Sequence, residues 1–169
     1  MGTGRRIIGA MATLVVTLGV AATPAHAAPA TPSGSAPVVA TPVPAGSALV
    51  AGPTYHFTDE ARAAGDMSVL ADSLPFNYTF EYEASLEGRR FNTTTTQVCN
   101  TTQVYSTADI KIELWVDTFG WDVQQGATVS YAGGKTSHYC WTGVNSNNTY
   151  YLKFLNGWAQ GKGSVADSQ

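Results

Sequence analysis

Between residues 76 and 86, large apolar side chains occupy every second position. Phe76, Tyr78, Phe80, Tyr82, Ala84 and Leu86 alternate with Asn77, Thr79, Glu81, Glu83, Ser85 and Glu87. A period of two is the side-chain repeat of a β-strand, so this segment reads as one long strand with a dry face and a wet face. Even-numbered residues are expected inside and odd-numbered ones outside. Ile110, Ile112, Leu114 and Val116 repeat the pattern against Lys111, Glu113, Trp115 and Asp117. Segments 91–97 and 98–106 are rich in Thr and Val, as strands are. Further strands are expected at 121–125, 127–131 and 137–142, then through Tyr150, Leu152 and Phe154, and last at 158–165. Gly88-Arg89, Gly133-Gly134 and Asn156-Gly157 are turn signals, Gly133-Gly134 reading as a hairpin. The stretch 55–75 is ambiguous. Thr58 before Asp59-Glu60 resembles a helix N-cap with acids in the first turn, and Gly65 breaks the pattern, so one short helix at the sheet edge is expected. Many short strands separated by turns predict an all-β fold. An antiparallel β-sandwich of immunoglobulin-like or jelly-roll-like architecture is favoured, with a small β-barrel as the alternative.

The N-terminus sets the expected compartment. Arg5-Arg6 precede an uncharged apolar run, 7–22, and Ala25-His26-Ala27 fits the small-x-small pattern of a signal-peptidase site. Residues 1–27 are therefore read as a cleaved export signal, and the protein as secreted, with no stable membrane insertion after cleavage. Residues 28–53 are uncharged and rich in Pro and Ala, and read as a disordered linker. Residues 54–169 are expected to form a single β-sandwich domain with its core in 76–166.

Cys99 and Cys140 are the two cysteines. In an oxidising compartment a lone pair is most simply a disulfide, here tying a strand early in the domain to one near its end in a layout that resembles the inter-sheet bridge of immunoglobulin-like domains. Closing a loop of this length stabilises a fold by about 4 kcal/mol in the chain-entropy picture. The two cysteines and scattered histidines lack the ligand spacing of a zinc site, so no metal or other cofactor is expected.

Taking Arg5 and Arg6 from the nine basic residues leaves seven against twelve acidic ones, a formal charge of −5 for a chain starting at Ala28. That balance argues against a nucleic-acid partner, which calls for a basic face, and against charge-driven docking on anionic lipid. Catalytic motifs are missing. There is no Gly-x-Ser-x-Gly elbow, and His138, two residues before Cys140, reads as a surface or edge residue. Glu81 and Glu83 share a strand face. Two carboxylates suit glycoside hydrolysis, but a solvated polar face accounts for them more simply.

The aromatic residues point further. By strict alternation Trp115 falls on the polar face of its strand, between Glu113 and Asp117. Tyr151 falls opposite Tyr150, and Trp121 lies in the next segment. An exposed ring beside hydroxyls, amides and carboxylates suits the apolar face of a sugar. Trp115, Trp121 and Tyr151 are thus the expected ligand-binding residues. The run from Trp141 through Gly143, Asn145, Asn147, Tyr150 and Lys153 to Phe154, followed by Gly161-Lys162-Gly163-Ser164-Val165, resembles the C-terminal end of small secreted β-sandwich proteins of actinobacterial type. The resemblance covers roughly the last 90 residues. It implies a fold and a bacterial, extracellular habitat, and carries no catalytic motif. The expectation is a non-catalytic binding module for carbohydrate or a cell-envelope polymer. The alternative is an extracellular structural or interaction protein (adhesin-like, a toxin or an inhibitor) whose partner is another extracellular protein.

Overall fold

Among the described residues twelve strands form two packed sheets: β1 Val39–Pro42, β2 Thr54–Thr58, β3 Asp72–Ser73, β4 Phe76–Tyr82, β5 Ser85–Glu87, β6 Phe91–Asn92, β7 Gln97–Val104, β8 Ile110–Asp117, β9 Val123–Tyr131, β10 Thr136–Thr142, β11 Thr149–Leu155 and β12 Ala159–Ala166. The structure, a computed structural model, describes residues 37–44, 50–59 and 71–167. All of them lie within one compact unit, 33–169. The export signal, 1–27, and residues 60–70 of the stretch expected to hold a short helix lie outside the described residues. No helix among the described residues is long and apolar enough to cross a membrane.

The first sheet has the order β1-β10-β7-β12-β4-β2, and the second β3-β6-β11-β8-β9, with β5 paired to β11. The sheets do not close into a barrel, so the sandwich expectation holds over its alternative. Pairing is antiparallel except for β2 with β4 and β3 with β6. The core lies between the sheets. Phe57, Phe76, Tyr78, Phe80 and Tyr82 meet Ile112, Leu114, Val116, Tyr150, Leu152 and Phe154, all buried. The even-numbered residues of β4 point inward as the alternation demands. Their rings fit because β12 offers Gly161 opposite Phe80 and Gly163 opposite Tyr78. A Cβ on Gly163 would sit 2.5 Å from the Tyr78 hydroxyl, and one on Gly161 the same distance from the Phe80 ring. Small residues beneath large ones are how two sheets reach interior packing density.

Four sequence expectations need correction. The segment 76–86 is two strands: β4 pairs in the first sheet and β5 in the second, with the chain changing sheets at Glu83-Ala84. The inward rule therefore fails at Ala84, which is exposed. Gly133-Gly134 does not close a hairpin, because β9 and β10 belong to different sheets; Gly134, at φ +68°, turns a corner between them. The segment 28–53 is not wholly a tether. Within it, β1 covers the free edge of β10, and Pro42 is accommodated because an edge strand needs hydrogen bonds on one side only. Farther along, Val50 and Gly52 bind the Asn77 side chain, which is why this odd-numbered residue is buried. Finally, the disulfide does not bridge the sheets as in immunoglobulin domains. Cys99 and Cys140 are direct register partners on β7 and β10, with Cα atoms 4.0 Å apart.

Candidate functional site

The outer face of the second sheet carries the residues singled out in the sequence. Trp115 on β8 and Tyr151 on β11 are register partners, with ring centroids 6.4 Å apart and planes 20° from parallel. The Lys153 ammonium lies 5.1 Å from the Trp115 ring, and the Arg90 guanidinium 4.1 Å from the Tyr151 ring. Trp115 is half-buried and its indole N–H donates to Glu113 Oε2 at 2.8 Å; the other Glu113 oxygen accepts from Thr128. That arrangement exists because the β8–β9 register shifts between Ile112 and Leu114 and leaves Glu113 at the irregularity. Alternation correctly puts Trp115 outside, but its ring is half-buried against Tyr151 and Lys153. It is not an open platform. Tyr151 is buried beneath Arg90.

Trp121 lies in the loop between β8 and β9 and is 89% exposed. The structure does not bring its ring onto Trp115 or Tyr151. Its neighbour Asp122 makes the link: the Tyr151 hydroxyl donates to Asp122 Oδ2 at 2.9 Å. The Thr118 backbone N–H donates to Asp122 Oδ1, and this bond chiefly holds the Asp122 carboxyl below its ordinary range. Burial, with the Asp122 carboxylate beside it, holds the Tyr151 phenol protonated well above its ordinary range.

A second surface, which sequence reading did not assemble, is a groove on the outer side of the first sheet. Thr58, Asp59, Glu81, Tyr82, Glu83 and Trp158 line a cavity of about 410 Å³. Another of about 360 Å³ shares Thr58 and Glu81 with it and continues past His56, Thr79 and Gln160 to Tyr105. Trp158 and Tyr105 are each half exposed, one in each part of the groove. Between them lie a carboxylate, an amide, an imidazole and hydroxyls. His56 Nδ1 and Thr79 Oγ1 share a 2.7 Å hydrogen bond, and the Tyr105 backbone N–H is fixed to the Gln160 carbonyl. The groove forms where three strands distant in sequence, β2, β4 and β12, lie side by side. Glu81 and Glu83, read from sequence as a solvated polar face, are part of its wall. The only signal that pointed here was the alternation that puts Glu81 and Thr79 outside.

Among the described residues, Cys99, His138 and Cys140 are the group whose ligand atoms lie close enough to hold a metal ion. Both sulfurs are in the disulfide, so neither offers a thiolate. His138 is buried, contrary to the surface or edge position expected of it. Its side chain packs against Thr101 and the Cys99–Cys140 disulfide, and the Val43 N–H takes its carbonyl at the sheet edge. Its ring nitrogens face Thr101 Oγ1 and Cys140 Sγ, and burial holds it neutral to lower pH than usual.

No protein-family model matches the chain, and no curated protein matches it.

Proposed function

We propose that this protein is a secreted, non-catalytic module that binds carbohydrate or another cell-envelope polymer in the groove bounded by Trp158 and Tyr105. The observation that carries the reading is the pairing of two half-exposed rings with a polar floor between them. A sugar ring offers one apolar C–H face and a rim of hydroxyls, so a site for it needs a flat ring and hydrogen-bonding groups. Here Glu81 accepts, Gln160 does both, and the hydroxyls of Thr58 and Thr79 complete the set. Two rings at separate places suit a polymer that spans several residues. The exported, bacterial character implied by the N-terminus and the C-terminal resemblance fits that substrate, and the disulfide is compatible with it.

The non-catalytic reading rests on the layout of the carboxylates. Hydrolysis needs two that flank a glycosidic bond. Glu81 on β4, Glu83 just beyond its end and Asp59 after β2 line the same part of the groove, and Asp59 accepts the Glu83 backbone N–H.

The test is affinity electrophoresis against a panel of neutral and amino-containing polysaccharides, with Trp158→Ala and Tyr105→Ala beside the parent. Each change should weaken binding roughly tenfold, the size of one aromatic contact, without altering the melting temperature. Unchanged binding in both variants, or release of reducing ends from a bound polymer, overturns the proposal.

A further inference from the structure

The loop between β8 and β9 reads Thr118-Phe119-Gly120-Trp121-Asp122. Phe119 is wholly exposed, Trp121 is 89% exposed and Val123 is about half exposed. Isolated apolar residues on a surface need no explanation, but two large rings at the tip of one hairpin do. The loop is also held in shape. Thr118 donates from its backbone N–H to Asp122 and from its hydroxyl to the Trp121 carbonyl, while Tyr151 anchors Asp122 to the sheet. The rings are therefore presented rather than left behind by a fraying segment.

The polar groups around the tip already have partners within the domain. Both Asp122 oxygens accept bonds from within the domain. Asp117 is paired with Arg90, whose Nε lies 3.1 Å away. Gln124 donates to Gly126 and Thr128, and Gln125 to Val123. Residues 118–121 carry no charge. A sugar site needs polar groups beside the ring, and here they are spent on the loop itself. A protein partner needs area: two exposed rings offer about 400 Å², half of the roughly 800 Å² per side that a stable interface buries. A lipid interface needs neither. It takes a small apolar tip, and indole settles at headgroup depth with its N–H toward the polar layer.

We propose that the Phe119–Trp121 tip is a peripheral insertion point for an electrically neutral lipid interface. The sign follows from the charge. With twelve acidic residues against nine basic in the whole chain, an anionic surface repels the protein, and no basic cluster at the tip offsets this. The tip lies on the opposite sheet from the groove proposed for polymer binding, and its occupancy does not depend on that reading.

The experiment is flotation of the full chain with phosphatidylcholine vesicles and with phosphatidylglycerol vesicles, beside the double variant Phe119→Ser/Trp121→Ser. Comparing chains that share the same N-terminus cancels any contribution of the apolar run 7–22. The parent should float with phosphatidylcholine at least tenfold more than the double variant. Brominated phosphatidylcholine should quench its tryptophan emission, and Trp121→Phe should remove most of that quenching while retaining flotation. The melting temperatures of both variants should match the parent's. Equal flotation of parent and double variant overturns the proposal. So does stronger binding to phosphatidylglycerol, which would make the attraction electrostatic. Concentration-dependent self-association that vanishes in the double variant, without flotation, would assign the tip to protein contact instead and equally overturn it.

Discussion

Trp115 and Tyr151 face each other across the β8–β11 pair as register partners, and each ring also has a cation against it, Lys153 and Arg90 respectively. The stack is a fastening on the outside of a sheet. Cross-strand aromatic pairs add to sheet stability, and cation–π contacts add to that when the cation is partly shielded.

Trp115→Ala should therefore lower stability by about 1–3 kcal/mol, since it removes a stacked, half-buried ring and leaves Glu113 without one donor. Trp121→Ala should change it by less than about 0.5 kcal/mol, as exposed substitutions do. Urea denaturation of the two variants checks the difference. If Trp121→Ala proved the more damaging, the packing described for the two rings would be wrong.

Gly163→Ala should destabilise the protein by about 1–3 kcal/mol. The new methyl would meet the Thr101 carbonyl at 2.3 Å and the Tyr78 hydroxyl at 2.5 Å. That hydroxyl is bound to Asn100 and Thr102 in the closed interior, so it has no room to yield. Pairing Gly163→Ala with Tyr78→Phe should not rescue the loss, because ring carbon Cζ stays 2.6 Å from the methyl and Asn100 and Thr102 lose their shared partner. Thermal melting of the single and double variants measures this.

These contacts show what could be read from sequence and what could not. The inward rings of β4 and β8 were legible because alternation is a local property, and each strand carries it alone. The break at Glu83-Ala84 was not, since Ala84 and Ser85 continue the alternation across the change of sheet. Composition misled at 39–42: Ala and Pro read as a tether, but an edge strand asks little of its residues beyond one row of hydrogen bonds. Alternation puts Trp115 on the correct face, whereas the approach of Lys153 depends on the register between two strands distant in sequence, β8 and β11. The groove was least legible of all. Thr58, Glu81, Tyr105 and Trp158 are brought together only by the strand order β12-β4-β2.

The Cys99–Cys140 bond joins two strands that already pair, so its removal should loosen an existing contact rather than unthread the fold. Mass spectrometry of unreduced protein should find no free thiol. Cys99→Ala/Cys140→Ala should fold to the same sandwich with stability lowered by about 2–5 kcal/mol. A double variant as stable as the parent would mean that the β7–β10 pairing holds without the bond.

His138 makes stability depend on pH in a definite direction. Its ring is buried with Thr101 and the Cys140 sulfur as neighbours, and burial lowers its pKa from 6.5 in the folded state. The unfolded chain, titrating near 6.5, binds the proton first. Between the two values the unfolded state holds more protons, so stability rises with pH across that interval. The contribution is complete above about 6.5 and is lost as pH falls through the folded-state value. Urea denaturation at a series of pH values from 8 down to 5 should show a falling stability. His138→Gln, which keeps a polar group toward Thr101 but cannot take up a proton, should flatten that slope while lowering the plateau. Carboxylates such as Asp122, whose pKa is also lowered, act only in more acidic solution, so their loss adds a second decline below the window assigned to His138. A slope between pH 6.5 and 5 that survives unchanged in His138→Gln would place the proton uptake elsewhere and remove His138 from the account.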